Sequence, residues 1–240
     1  MLLTIDVGNT HTVLGVYDRE KLLRMWRVET NASVTTDEAR VTLAGLLAIE
    51  NIDPSQIDGM CLATVVPQLN RVWRKVGSDL CDGNVLSVDV QAVDGLLDVS
   101  AYKSTPGADR LADAVAAKKL SGAPVLVVDL GTATNIEVID KDGRFLGGVI
   151  APGIQTSIDG LVANAALLPD VELADPGKAI GLNTVSSIQI GVVYGQVDGI
   201  DGMVHRIWNE LGYETPVVAT GGFGVILSDL SQTVTAVNPQ

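Results

Sequence analysis

Two short segments carry residue types that handle phosphate. In Asp6-Val7-Gly8-Asn9-Thr10 the glycine lets backbone N–H groups approach an anion closely, while Asn9, Thr10 and Thr12 add short polar donors. Asp6 cannot bind phosphate itself, but a carboxylate at a strand end suits Mg2+, directly or through water, and the ion then bridges phosphate oxygens. Asp129-Leu130-Gly131-Thr132-Ala133-Thr134 repeats the design. Setting Asp6 on Asp129 also sets Gly8 on Gly131 and Val13 on Ile136, and each copy reads as strand, turn, strand. Two topologically alike halves are therefore expected, although Asp-Gly turns also recur by chance in β-containing chains. A third segment, Thr220-Gly221-Gly222, follows the apolar run Val217-Val218-Ala219. Its glycines leave bare backbone on which a flat base or ribose could lie; taken alone, it is simply a tight strand-to-helix turn.

A further carboxylate stands at Asp109. Thr105 fits a helix N-cap and Pro106 a first helical residue, which predicts a helix from there to about Leu120. Asp109 then lies in the first turn, where the helix dipole favours its ionised form. An acid in that position is commonly structural; to act as a base it must also reach a hydroxyl. Arg110 offers a planar fork for a carboxylate or phosphate, whereas an exposed helical arginine commonly does nothing specific.

The elements that must hold these groups follow from the pattern. Leu2 to Ile5, Thr12 to Tyr17 and Leu22 to Val28 read as strands of one meander. Thr36-Asp37-Glu38 opens a helix to about Glu50, Gly59 to Thr64 reads as a buried strand, Pro67 starts another helix, and Val85 to Val88 ends the first half. In the second half, strands are expected at Val125 to Val128, Asn135 to Ile139, Phe145 to Ile150 and Val217 to Thr220. Helices are expected at about Ile154 to Ala166, at Thr184 to Leu211 and after Gly222. This gives domains 1–104 and 105–240.

Composition narrows the possible partners. A chain of 240 residues with 47% hydrophobic but only 4% aromatic side chains builds its core from Val, Leu, Ile and Ala, as α/β proteins do. A formal net charge of −13 repels polyanions, so neither nucleic acid nor an anionic membrane is an expected partner. Cys61 and Cys81 form no CxxC pair, and His11 and His205 lie far from both, so neither a disulfide framework nor a thiolate metal site is indicated. With no basic leader before Asp6 and no apolar run near the ~18 residues that span a bilayer, a cytoplasmic protein is expected.

Two phosphate turns and a late Gly-Gly turn describe an actin-like ATPase: α/β, with two similar actin-like (ribonuclease H-like) domains and the nucleotide cleft between them. Within that fold the chain resembles the type III pantothenate kinases. The resemblance rests on Asp6-Val7-Gly8-Asn9-Thr10, Ala63-Thr64-Val65-Val66-Pro67, Gly107-Ala108-Asp109-Arg110, Val128 to Thr134, Gly147-Gly148-Val149-Ile150-Ala151-Pro152-Gly153, Gly181-Leu182-Asn183-Thr184 and Thr220-Gly221-Gly222, which occur in family order over nearly the whole chain.

The resemblance implies a kinase that uses ATP to phosphorylate pantothenate, the first step of coenzyme A biosynthesis. It assigns ATP binding to Asp6, Val7, Gly8, Asn9, Thr10, His11, Thr12, Val13 and Thr132, and the general base to Asp109. Substrate contacts fall to Tyr102, Gly107, Ala108, Asp109, Arg110 and Thr184. Asp129 matches a monovalent-cation ligand, for K+ or NH4+, and Asp6 would meet Mg2+ or a similar divalent ion through the phosphates. The family's pocket lies at a subunit interface, so a homodimer is expected. Asn135 stands where a third threonine is common, and the chain closes at Gln240, earlier than the family pattern leads one to expect. The rival readings are an actin-like kinase of another small metabolite and a catalytically silent actin-like regulator. Retention of Asp6, Asp109 and Asp129 argues against the silent form, and 240 residues leave no room for the peptide-binding domain of a chaperone-like ATPase.

Overall fold

Alternating burial along Leu2-Leu3-Thr4-Ile5-Asp6-Val7 puts Leu3, Ile5 and Val7 into a core and leaves Asp6 exposed, as a period of two requires. The computed structural model describes residues 1–165, 169 and 171–238. They form two compact units, one of residues 1–96 with 104–112, the other of 97–103 with 113–238.

In the first unit β1 (Leu2–Val7), β2 (His11–Asp18) and β3 (Lys21–Glu29) form an antiparallel meander, while β4 (Gly59–Thr64) and β5 (Val85–Ser87) extend it in parallel, giving the order β3-β2-β1-β4-β5. Two helices, α1 (Thr36–Ile49) and α2 (Pro67–Leu80), connect the parallel strands. Leu43 and Leu47 of the first and Leu69 and Trp73 of the second join Leu3, Ile5, Leu14 and Leu62 in one core. The cap of α1 falls one residue earlier than expected: Thr35 accepts from Glu38, whose side chain returns to the Thr35 amide in a capping box.

In the second unit β6 (Val125–Leu130), β7 (Ala133–Ile139) and β8 (Phe145–Pro152) form the meander, with β9 (Val217–Thr220) and β10 (Ala236–Val237) parallel to it, in the order β10-β9-β6-β7-β8. Read from its meander edge, each sheet has the same connectivity, so the duplication inferred from two turns extends to all five strands. Helices α4 (Ile154–Asn164), α5 (Thr184–Leu211) and α6 (Gly224–Ser228) complete this unit. Ala166, the expected end of the first of these, lies outside the described residues. Strand β10 had no signal, its two residues being too few to show alternation. Its approach is pinned by Asp201 of α5, 9% exposed, which accepts hydrogen bonds from the Ser231 and Thr233 hydroxyls and from the amides of Gln232 and Thr233.

Two expectations need correction. The helix expected from Thr105-Pro106, α3 (Ala108–Ser121), starts later: Leu111 N donates to Gly107 O at 3.1 Å, and Pro106 is buried ahead of it. The first helical hydrogen bond thus closes on Gly107, not on Thr105, and neither Thr105 nor Pro106 belongs to the helix. The alignment of Val13 with Ile136 is off by one. Asp6 pairs with Val13 across its hairpin, but Asp129 pairs with Asn135, because Gly8 N closes on His11 O whereas Gly131 N closes on Ala133 O.

Candidate active site

In the first unit the turn is set by backbone geometry. Gly8 N donates to His11 O at 3.0 Å, which leaves Asn9, Thr10 and His11 exposed at the hairpin tip. Thr12, read as one of the polar donors, is instead 2% exposed and shares a 2.9 Å hydrogen bond with the Thr30 hydroxyl, while Thr30 N donates to Thr10 O at 2.9 Å. Its hydroxyl thus steadies the turn from within. Nothing in the local sequence marked Thr30, which reaches the turn from the end of β3.

Beside this turn runs Thr64-Val65-Val66. Val65 N donates to Val7 O at 3.1 Å, and the Thr64 hydroxyl accepts from Val66 N at 3.1 Å, so the segment turns away into α2 at once. Val65 also borders the Gly107 segment: its Cγ1 would lie 3.7 Å from a β-carbon on Gly107. The same β-carbon would collide with Oδ1 of Asp109, so glycine is needed for the carboxylate to lie where it does. Asp109 sits in the first turn of α3, half-buried, with Oδ1 accepting from Arg110 N at 2.7 Å. Ala108 is half-buried beside it, and Arg110 is only 7% exposed. A guanidinium that deep is held by partners and not by water, which removes the reading of Arg110 as an idle surface residue. The structure therefore gathers Asp6 to Val13, Val65 and Gly107 to Arg110 along one edge of this unit.

In the second unit Asp129 lies on β6 between Asn135 of β7 and Thr220 of β9. Gly221, with φ +87°, comes so near that a β-carbon would stand 2.6 Å from Asp129 Oδ1. Only glycine combines that conformation with that approach. Here the Thr220-Gly221-Gly222 turn flanks the Asp129 carboxylate. Thr132 is exposed at the neighbouring turn, and its carbonyl accepts from Gly153 N at 3.0 Å and from the Thr156 hydroxyl at 2.7 Å. Tyr102 is half-buried, its ring set edge-on to Phe145 with centroids 5.4 Å apart. Thr184 is the exposed first residue of α5, capped by Asn183, which accepts from Ser186 N at 2.9 Å. It is remote in sequence from the other groups, and the cap fixes where its helix begins.

The type III pantothenate kinase family matches residues 2–206. The chain belongs to that family. It is 41% identical over 239 residues to a type III pantothenate kinase of Roseiflexus sp. (strain RS-1), covering 100% of this chain and 94% of the relative. It is also 40% identical over 234 residues to one of Myxococcus xanthus (strain DK1622), covering 98% and 91%. Family members are phosphotransferases with an alcohol group as acceptor.

Solved structures extend the likeness in fold alone. The activator of the 2-hydroxyisocaproyl-CoA dehydratase from Clostridium difficile, with bound ADPNP, has a TM-score of 0.55 at 14% identity, covering 99% of this chain and 88% of its own. Component A of the (R)-2-hydroxyglutaryl-CoA dehydratase of Acidaminococcus fermentans has 0.54 at 14%, covering 99% and 91%. The fold is the actin-like one expected from the paired turns. Among the described residues no helix is long and apolar enough to cross a membrane.

Proposed function

We propose that the chain phosphorylates the pantothenate hydroxyl with ATP, with Asp109 as general base. The observation that carries this reading is the arrangement in the first unit, where Gly107 of the Asp109 segment lies beside Val65, and Val65 N is bonded to Val7 O at the mouth of the Asp6–Val13 turn. A carboxylate able to take the hydroxyl proton thus shares an edge with a turn suited to ATP phosphates. Phosphoryl transfer draws most of its rate from such positioning and from charge neutralisation. Gly107, Ala108 and Arg110 bind pantothenate beside the base, Tyr102 and Thr184 add contacts, and Thr132 meets ATP from the second turn.

The residues present suit the ions. Among the described residues no cluster of three or more His, Cys, Asp or Glu side chains could hold a metal by itself. Mg2+ keeps several waters and commonly takes one or two carboxylates plus substrate phosphates, so the exposed Asp6 is a sufficient protein ligand. When bound, the ion neutralises charge on the β- and γ-phosphates. Asp129, whose carboxylate lies beside the bare backbone of Gly221, is the proposed ligand of a singly charged ion such as K+ or NH4+.

A homodimer completes the proposal. Gly191, Gly195, Gly199 and Gly202 lie along α5, and a β-carbon on any of them would meet no atom of the described residues within 4 Å. Three of them, with Val149 and Ala151, line an open groove of about 350 Å³ that a second copy can enter. The deciding assay is ATP-coupled ADP formation with and without pantothenate, with mass spectrometry of the product. ADP formation that pantothenate leaves unchanged overturns the assignment.

A further inference from the structure

The glycines at the two ends of the segment Gly147 to Gly153 have no task in the reading above, yet each lies against a group which that reading uses. At its start Gly147 has φ +112°, and a β-carbon there would stand 3.0 Å from Cδ2 and Cε2 of Tyr102. Phe145, fully buried one turn of the pleat earlier, meets the same ring edge-on, with 81° between the planes. The stretch carrying Tyr102 is fastened there as well: Phe145 N donates to Asp98 O at 2.8 Å, and Tyr102 N donates to Val99 O at 3.1 Å. The ring therefore has a bare backbone on one contact and a fixed aromatic on another.

At the far end Gly153 follows the last residue of β8 and caps α4. Its amide donates to Thr132 O at 3.0 Å, and a β-carbon on it would run into the carbonyl oxygens of Gly131 and Thr132. Those atoms are backbone, so a methyl group can be admitted only by moving the turn that carries Thr132. Between the two ends the strand is bound to β7 from Phe145 to Pro152 and has little freedom of its own.

We propose that Gly147 and Gly153 are positioning residues at the two ends of this strand, the first seating the Tyr102 ring for pantothenate and the second setting the Asp129–Thr132 turn for ATP. The inference rests on the substrate roles given above to Tyr102 and Thr132. A glycine needed only for folding would affect both substrates alike. A positioning glycine affects the one whose contact it sets, because the displacement a methyl group forces falls first on the group lying against it.

The test is steady-state kinetics of Gly147→Ala and Gly153→Ala with both substrates varied. Gly147→Ala is expected to raise KM for pantothenate by about tenfold, within the ~10²-fold that an ångström of misplacement can cost, with KM for ATP unchanged; Gly153→Ala should do the reverse. Equal changes in both KM values for each variant overturn the proposal. Tyr102→Leu separates its failure from that of the underlying assignment. If Tyr102→Leu leaves the pantothenate KM unchanged, the tyrosine's substrate role is wrong and the Gly147 half falls with it. If Tyr102→Leu raises that KM and Gly147→Ala adds its full effect on top, the tyrosine role stands and the positioning claim is overturned; the expected double variant equals Tyr102→Leu alone. Should Gly147→Ala fail to fold, Phe145→Leu replaces it, with the same pantothenate-specific rise expected and an unchanged KM overturning the claim.

Discussion

Gly107 lies so close to Asp109 that a β-carbon on the glycine would collide with the carboxylate oxygen that also accepts the Arg110 amide. A methyl group at 107 must turn that carboxylate. Gly107→Ala is expected to lower kcat by roughly tenfold to a hundredfold, the range for a misplaced catalytic group, while ATP affinity and melting temperature stay near those of the parent. Single-turnover kinetics with calorimetric ATP titration check this.

Asp109→Asn keeps the volume and removes the basicity. The catalytic rate should fall by about 10² to 10⁴, the span for a positioned acid–base group, with ATP binding intact because the Gly8 turn is untouched. The proton can leave late in a loose transition state, which favours the low end. A folded variant that binds ATP and turns over within about threefold of the parent, far short of that span, removes Asp109 from the role of base.

Potassium or ammonium should stimulate pantothenate-dependent ADP formation over sodium at equal ionic strength. The expectation rests on the Asp129 carboxylate held against Gly221. Equal rates in sodium and potassium would remove the monovalent site and leave the kinase assignment standing.

Gly195→Leu addresses the dimer. Leucine is the better helix former by about 1 kcal/mol, and no atom of the described residues lies within 4 Å of a β-carbon there. The protomer should fold at least as well as the parent, yet light scattering should show monomers, because the side chain fills the groove a second copy would enter. A dimer that survives the substitution places the interface elsewhere.

Asp201 gives a pH prediction. Burial pushes its carboxyl up, but hydrogen bonds from the Gln232 amide, the Ser231 hydroxyl and Thr233 outweigh that, and the net shift is downward. A depressed folded-state value contributes stability above the unfolded carboxyl value of about 3.9, and that contribution is lost as pH falls through the folded-state value. Asp201→Asn should cost about 1–3 kcal/mol near neutral pH, and the gap in melting temperature from the parent should narrow below about pH 4. A gap that stays constant from neutral to acid pH would show that the charge contributes nothing.

Much of the fold was legible because its signals are local. Short β-rich runs marked β1 and β6, and Pro67 marked the start of α2. What escaped depends on chain segments distant in sequence. Thr12 reads as a polar donor until β3 brings Thr30 beside it. Arg110 reads as exposed until the core closes over its helix. The start of α3 was misplaced because Thr-Pro carries both cap preferences, while Pro106 is buried ahead of the helix. At the candidate site the carboxylates and the glycines were both found by type, but that Gly107 lies against Asp109 and Gly221 against Asp129 was found only by distance.

The second hairpin closes with one residue fewer than the first, Gly131 to Ala133 against Gly8 to His11. Side chains alternate along a strand, so setting the hairpins on one another at a constant offset pairs, beyond the turn, residues that face opposite sides of their sheets. Val13 stands where Asn135 does, not where Ile136 does. The two halves therefore match residue for residue up to the turn, and beyond it only when one residue is skipped.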